Sequence, residues 1–89
     1  MKINLSPRFK RAYKGLPSGI KNDFDKKIAF FIDNPKNPSL KTHKLKGKLQ
    51  TCLSFYLRDG YRVLFEFSET KNINLLDIGP HDKYKIWEK

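Results

Sequence analysis

The first hydrophobic pattern along the chain recurs at helical spacing. Its members fall at positions i, i+3, i+4 and i+7 and therefore share one face of a helix: Phe9, Ala12, Tyr13 and Leu16. Ser6 and Pro7 precede the pattern and form a typical helix start, with serine as the N-cap and proline in the first turn. Gly15 and Pro17 are expected to end this helix.

The next pattern predicts a second helix. Its apolar residues also repeat at helical spacing: Ile20, Phe24, Ile28 and Phe31. Ser18 is the predicted cap, and the helix is expected to end at Asn34, because a residue before proline avoids helical angles. Two helices joined by so few residues predict an antiparallel hairpin.

Residues 34–48, with the sequence NPKNPSLKTHKLKGK, are predicted to form a loop. The segment holds two prolines, one glycine, five lysines and His43. At about 15 residues it is long enough to suggest a functional role. Upstream of both helices, the alternation in residues 2–5 predicts a short edge strand.

From Leu49 the pattern changes to period two and predicts a β-hairpin with two possible registers. A two-residue turn at Asp59-Gly60 would pair Leu57 with Arg62 and mix apolar and charged residues on both faces. A three-residue loop of residues 58–60, with Gly60 left-handed, pairs Leu57 with Tyr61 and separates the two classes, so we prefer it. One face then holds Leu53, Phe55, Leu57, Tyr61, Val63, Phe65 and Phe67, and the other places Tyr56 beside Arg62.

A third strand is predicted from Ile73 to Ile78, after a turn at residues 69–72. The whole chain, residues 1–89, is then a single α+β domain with the order β-α-α-β-β-β. We expect an antiparallel sheet with the two-helix hairpin packed on one face. The other face is expected to be open and to present Tyr56 and Arg62.

The charge of the chain narrows its possible partners. It has 89 residues, with 19 Lys and Arg against 9 Asp and Glu, and a net charge of +10. Residues 1–22 and 34–58 contain no acid at all. Such a field attracts a polyanion, namely nucleic acid, an anionic membrane or an acidic protein. The simpler alternative is a solvated lysine-rich surface.

Several classes are disfavoured by composition. The longest apolar run, residues 28–32, is far shorter than the roughly 20 residues of a membrane-spanning helix. The N-terminus lacks an apolar stretch of signal-peptide length, so we expect no export. The single cysteine, Cys52, cannot form an internal disulfide, which suits a reducing cytoplasm. There is no zinc-type Cys/His spacing, and no metal or cofactor is expected.

Three segments together resemble the RelE/ParE superfamily of toxins from bacterial type II toxin–antitoxin systems. They are NPKNPSLKTHKLKGKL, SFYLRDGYRVLFEF and LLDIGPHDKY, and the resemblance covers nearly the whole chain. It is strongest to the RelE/YafQ/YoeB-like branch, whose members cut mRNA in the ribosomal A site. The ParE branch is similar in fold but poisons DNA gyrase.

The resemblance implies a RelE-like fold and an mRNA interferase that inhibits translation. In this family a ribose 2′-hydroxyl attacks the adjacent phosphate without a metal. The reaction needs a base, an acid and cations around the phosphate. The implied partners are a cognate antitoxin, the small ribosomal subunit and mRNA, with the toxin itself monomeric inside a toxin–antitoxin complex.

The resemblance also assigns candidate residues. Arg62 matches a phosphate-contacting arginine, and Tyr84 matches a terminal tyrosine that stacks on or hydrogen-bonds the substrate nucleotide. His81 matches a histidine that acts as acid or base, and His43 matches an upstream histidine of the YafQ-like branch. The residues expected to bind RNA are Lys44, Lys46, Lys48, Tyr56 and Arg58. Histidine changes its protonation near neutral pH, which suits proton transfer.

Some positions depart from the family pattern. Ser54 and Tyr56 stand where RelE has lysines, and the histidine and aspartate of YafQ-like members near Tyr56 and Gly60 are missing. The general base therefore stays open among His43, His81 and Tyr56. A surface salt bridge with Glu66 is the structural alternative for Arg62. The functional alternatives are a ParE-like gyrase inhibitor and a catalytically weak member that only binds RNA or the ribosome.

Overall fold

The computed structural model describes residues 2–47, 51–70 and 72–88. These residues form one five-stranded sheet and three α-helices. The strands are β1 (Ile3–Leu5), β2 (His43–Lys44), β3 (Leu53–Tyr56), β4 (Arg62–Phe67) and β5 (Ile73–Gly79). The helices are α1 (Pro7–Lys14), α2 (Ser18–Asp33) and α3 (Tyr84–Trp87). None of the described helices is long and apolar enough to cross a membrane.

The sheet has the strand order β1-β5-β4-β3-β2. The predicted α+β class is confirmed, with β2 and α3 added to the expected order. The pairs β2–β3, β3–β4 and β4–β5 are antiparallel, as expected, but β1 runs parallel to β5. The sheet is therefore mixed. Parallel neighbours need a long crossover connection, and here nearly the whole chain separates the two strands. The hydrophobic pattern of a short segment does not predict a pairing between strands so far apart in the sequence.

The predicted hairpin register is confirmed. Phe55 pairs with Val63 and Tyr56 with Arg62, and the amide of Leu57 donates to the carbonyl of Tyr61 over 2.7 Å. Gly60 is left-handed with φ of 77°. The loop therefore sets the register that puts Tyr56 and Arg62 side by side on one face.

The helix boundaries follow the sequence signals closely. Ser6 caps α1, because its hydroxyl oxygen accepts the amide of Phe9 over 3.0 Å. The cap predicted at Ser18 is wrong: Pro17 occupies the N-cap position of α2 and Ser18 is its first helical residue. The helix ends at Asp33, as the following Asn34-Pro35 predicts.

The main core lies between the helices and the face of the hairpin that carries Phe55, Val63 and Phe65. Phe24 contacts both Phe9 and Tyr13 at 5.5 Å between ring centroids, which joins the two helices. Phe31 stacks on Phe55 at 5.0 Å. The buried residues of this core are Phe9, Ile20, Phe24, Phe31, Leu40, Phe55, Leu57, Val63, Phe65, Ile73, Leu75 and Ile78.

The opposite face of the sheet is not open, which corrects the prediction. A second cluster of Leu45, Cys52, Leu64 and Trp87 covers part of it. A register shift in the β4–β5 pairing, where Leu64 pairs with Asp77 but Phe65 with Leu75, inserts one extra residue into β5. The C-terminal segment can then pack against this face and bring α3 over the sheet.

The loop predicted for residues 34–48 is largely confirmed but contains short ordered elements. Pro38–Leu40 form a single 3-10 turn, and β2 pairs His43 with Ser54 of β3. Leu40 is completely buried and attaches the loop to the core. The part of the predicted strand at Leu49, and Lys48 before it, lie outside the described residues.

Replacing Gly60 with alanine tests the hairpin loop. The left-handed conformation costs a residue with a Cβ roughly 1–2 kcal/mol, and a Cβ there meets only ordinary contacts, the nearest being His81 Cβ at 3.8 Å. We expect urea denaturation to show this loss of stability for Gly60→Ala. Gly15→Ala is the matched control, because Gly15 has a φ of −86°, and it should change stability by less than about 0.5 kcal/mol. Equal effects in both variants would contradict the account of the loop.

Candidate functional site

The centre of the candidate site is a buried arginine. Arg62 is the first residue of β4 and is only 7% exposed. Within residues 2–47, 51–70 and 72–88 it forms no salt bridge with a carboxylate. A buried charge is costly unless it is paired. The surroundings of Arg62 must therefore compensate the guanidinium without an acidic side chain.

Two tyrosine rings supply much of that compensation. The guanidinium carbon lies 3.8 Å from the ring centroid of Tyr84 and 4.5 Å from that of Tyr56. Cation–π contacts of this kind can be worth about 2 kcal/mol or more when they are desolvated. The Nε group also donates to the carbonyl of Gly60 over 3.3 Å. Both the hairpin and α3 thus hold the guanidinium in place.

Arg62 also fixes the tautomer of His81. Its Nη2 lies 2.7 Å from His81 Nδ1. Because arginine can only donate hydrogen bonds, Nδ1 must carry a lone pair, and a neutral ring then carries its proton on Nε2. His81 is exposed in the turn before α3, so this Nε2–H group is available to a ligand.

The Tyr84 hydroxyl joins two further side chains. It is hydrogen-bonded to Ser54 Oγ and to His43 Nε2. His43 Nδ1 lies 3.4 Å from the carbonyl of Lys41, which can only accept, so Nδ1 is the protonated nitrogen. The bonds then run in one direction: Ser54 donates to Tyr84, and Tyr84 donates to His43.

Burial raises the pKa of the Tyr84 phenol above its usual value of 10.0, although the hydrogen bond with Ser54 and the positive charge of Arg62 act in the opposite direction. The phenol is therefore neutral and retains its proton across the physiological range. It can still pass a proton to His43 if it receives one from a ligand at the same time.

A buried carboxylate positions α3 and was not identified from the sequence. Asp77 is 1% exposed, and its Oδ2 accepts from Trp87 Nε1 over 2.9 Å. Lys83 Nζ lies 3.4 Å from the same oxygen, and the amide of Ile78 donates to Oδ1 over 2.8 Å. These contacts attach the C-terminal segment to β5 and so place Tyr84 over Arg62.

Ser54 is the second residue that sequence reasoning missed as a site component. It is completely buried on the same sheet face as Tyr56, and its only visible signal was a small polar side chain on that face. The alternative of a salt bridge between Arg62 and Glu66 is wrong. Within the described parts of the chain, Glu66 is near Asn74, whose Nδ2 donates to Glu66 Oε1 over 3.4 Å.

Only some of the residues predicted to bind RNA contact the site residues Arg62, Tyr84, His43 and His81. Tyr56 is half-buried against Arg62 and His43. Lys44 and Lys46 are exposed on and just after β2, and Arg58 is exposed in the hairpin loop beside Asp59. Lys48 lies outside the described residues. The structure thus brings four of the predicted residues together: Arg62 contacts His81 and Tyr84, and Tyr84 contacts His43.

This arrangement places a cation beside groups that can donate and accept protons, so it can bind an anion and move a proton next to it. Arg62 offers N–H groups that form no hydrogen bond within the described part of the chain. Two imidazoles and a phenol provide proton donors and acceptors on either side of it. No cluster of three or more metal-ligating side chains occurs among the described residues.

The tautomer of His81 is a direct test of this geometry. We expect nitrogen-detected NMR of the free protein to show the imidazole proton on Nε2, because Arg62 Nη2 donates to Nδ1. In Arg62→Met the constraint is lost, and the spectrum should report exchange between tautomers. His43 gives an internal control, since its proton is expected on Nδ1 in both proteins. A proton on Nδ1 of His81 in the wild type would contradict the contact.

The fold is similar to solved structures of bacterial toxins. For YafQ from E. coli strain BL21(DE3), the TM-score is 0.76 at 15% identity, over 91% of this chain and 93% of that one. For a YoeB/ParE toxin from Agrobacterium tumefaciens, it is 0.75 at 15% identity, over 91% and 99%. The E. coli RelBE toxin–antitoxin complex gives 0.68 at 18% identity, over 89% and 94%.

No protein-family model and no curated protein sequence matches this chain significantly. The structural relatives nevertheless match nearly the whole chain, and they cover the RelE, YafQ and YoeB/ParE types. The chain therefore has the RelE-like toxin fold that its sequence resembles.

Proposed function

We propose that this chain is the toxin of a type II toxin–antitoxin module and that it cleaves mRNA on the ribosome. The observation that carries the proposal is the buried guanidinium of Arg62, which lies between two tyrosine rings and has no carboxylate partner among the described residues. A cation held in this way is prepared for an anionic ligand. The scissile phosphate of RNA is the ligand that fits the neighbouring proton donors and acceptors.

Phosphate binding is the first step of the proposed mechanism. The N–H groups of Arg62 that have no hydrogen-bond partner in the described part of the chain donate to the non-bridging oxygens of the phosphate. They stabilise the additional negative charge that develops as the 2′-oxygen attacks. Because the guanidinium is already ordered by Tyr56 and Tyr84, little reorganisation is needed at that moment.

Tyr84 and His43 together act as the base. The 2′-hydroxyl donates its proton to the phenol oxygen while the phenol proton moves to His43 Nε2, along the hydrogen bond between them. Ser54 holds the phenol oxygen in place from the other side. This role for Tyr84 differs from the nucleotide contact that the family resemblance implies, since its ring is already covered by Arg62.

His81 acts as the acid. When the phosphate oxygens take over the Nη2 donor of Arg62, His81 Nδ1 is released and takes up a proton from solvent. The imidazolium then gives its Nε2 proton to the departing 5′-oxygen as the phosphorus–oxygen bond breaks. The products are a 2′,3′-cyclic phosphate and a 5′-hydroxyl, and both histidines return to their starting states by exchange with water.

The exposed basic residues support binding to RNA. Lys44 and Lys46 are exposed on and just after β2, the strand that carries His43, and Arg58 is exposed in the hairpin loop. Such side chains bind phosphates with little sequence preference. We propose that they position mRNA and small-subunit rRNA, and that a cognate antitoxin neutralises the toxin by covering this basic surface.

The experiment is primer extension on a reporter mRNA in a reconstituted translation system. We expect wild-type protein to cut within translated codons. Tyr84→Phe keeps the ring over Arg62 but removes the proton relay, and His81→Ala removes the acid, so each should slow cleavage about 10²–10⁴-fold. Arg62→Ala should slow it about 10²–10³-fold or more. Arg11→Ala, an exposed arginine on α1, is the matched control and should cut at the wild-type rate.

Thermal denaturation of each variant separates loss of activity from loss of folding. Cleavage by folded Tyr84→Phe and His81→Ala at the wild-type rate would overturn the residue assignment. Inhibition of growth with intact mRNA, together with inhibition of DNA gyrase, would overturn the proposed activity in favour of a ParE-like toxin. Binding to ribosomes without any cleavage would instead indicate a member that binds RNA only.

A further inference from the structure

An apolar groove lies on the helix-bearing face of the sheet, on the side opposite Arg62 and Tyr84. One wall is the loop of residues 35–42, and the other is formed by Leu53, Phe65 and Phe67. Its volume is about 460 Å³, within the range typical of ligand pockets. The proposed cleavage reaction does not use this groove.

The floor of the groove is an uncovered extension of the main core. Phe65 is completely buried, while Phe67 packs against it at 5.6 Å between ring centroids and remains 50% exposed. Leu53 is half-buried beside them. A large exposed aromatic ring at the end of a groove is the kind of surface that binds an apolar group of a partner.

The loop wall is ordered before any ligand arrives. The side chain of Asn34 accepts the amide of Lys36 over 3.1 Å, and that of Asn37 accepts the amide of Ser39 over 3.0 Å. Leu40 is fully buried and attaches the loop to the core. Because the groove is preformed, binding of a ligand does not require the free energy of ordering the loop.

The rim of the groove is positively charged. Lys36 and Lys41 both line it and are both exposed. Within the described residues neither forms a salt bridge, and residues 34–58 contain no acid. A ligand with an apolar group flanked by carboxylates is therefore complementary to the groove in both shape and charge.

We propose that the groove binds an acidic amphipathic peptide segment of a partner protein. The segment inserts a leucine or phenylalanine side chain between the loop and Phe67 and places carboxylates against Lys36 and Lys41. This inference rests on the proposed function in one respect, since the antitoxin is the partner expected to supply the segment. The groove would give that partner a second contact area, on the sheet face opposite Arg62 and Tyr84.

The chemistry of the groove favours a peptide over RNA. A nucleobase carries a polar edge that would need hydrogen-bond partners in the pocket. Asn37 already uses its amide oxygen for its own turn, and the hydroxyl oxygen of Thr42 in the groove wall is buried from solvent. An apolar side chain has no such need. A second copy of this chain is disfavoured because both copies carry a net charge of +10.

Fluorescence anisotropy with a defined peptide tests the inference. The probe is a short fluorescein-labelled peptide in which leucine and phenylalanine alternate with glutamate. We expect wild-type protein to bind it, and we expect Phe67→Ser to weaken binding roughly tenfold or more, since the aromatic contact is lost. Lys36→Glu should weaken it by a similar factor without disturbing the core. Ile86→Ser, which alters an exposed apolar residue on α3, and Lys10→Glu are the matched controls and should bind as wild type.

Two altered peptides check the specificity of binding. A peptide with lysine in place of glutamate, and one with serine in place of the apolar residues, should both fail to bind. Equal binding by wild type, Phe67→Ser and Lys36→Glu would overturn the proposal. Competition by an RNA oligonucleotide that depends on Phe67, or self-association that depends on Phe67, would assign the groove to another occupant.

The mRNA cleavage assay separates this proposal from the proposed function. Phe67→Ser should cut mRNA at the wild-type rate in the absence of peptide. Peptide binding to a protein that never cuts mRNA would leave the groove proposal standing and remove the proposed activity. Cleavage of mRNA by a protein that does not bind the peptide would overturn the groove proposal and leave the proposed activity standing.

Discussion

The geometry of the candidate site depends on keeping one positive charge inside the protein without an acidic partner among the described residues. Arg62 is 7% exposed, and the compensating groups come from three different parts of the chain. Tyr56 belongs to β3, Gly60 to the hairpin loop, and His81 and Tyr84 to the C-terminal segment. Each of these elements must be in place before the guanidinium can be buried. The geometry of the site and the packing of the second sheet face therefore depend on the same contacts.

The C-terminal segment connects that constraint to the rest of the molecule. Asp77 binds Trp87 and Lys83, and this attachment holds α3 across the sheet. The carboxylate of Glu88 also accepts a hydrogen bond from the amide of Lys46, so the C-terminal segment contacts the chain just after β2, the strand that carries His43. Tyr84 is consequently fixed from both sides, with its ring on Arg62 and its hydroxyl between Ser54 and His43. In the proposed mechanism this makes phosphate binding and proton transfer parts of one hydrogen-bonded chain.

Local sequence signals predicted the elements and the hairpin register because both depend on short-range rules. The three-residue loop with Gly60 separates apolar from polar side chains, and the structure has that register. The parallel pairing of β1 with β5 was missed, since residues about 70 positions apart leave no local pattern. The covered second face was missed because the extra residue in β5 changes which side Asp77 faces, and that shift depends on the pairing with β4.

The site residues differ in how far the sequence could identify them. His43, Arg62, His81 and Tyr84 were selected through the family resemblance, and the structure brings them into contact, while their chemical roles remain proposals. Ser54 and Asp77 were not selected. Ser54 is a small polar residue on a strand, and Asp77 follows two leucines in a segment typical of a core strand. Only the folded arrangement shows that each accepts or donates a hydrogen bond at the site.

Residue-resolved NMR of the arginine side chains is the most direct test of the central claim. The measurement titrates the protein with an RNA in which every 2′-hydroxyl is methylated, so that it binds without being cut. If Arg62 is the phosphate-binding group, its Nη signals will shift strongly and saturably, and those of Arg8 and Arg11 on α1 will shift weakly or not at all. An unchanged Arg62 signal in a saturated complex would contradict the claim, because the buried guanidinium would then serve the fold and not the ligand.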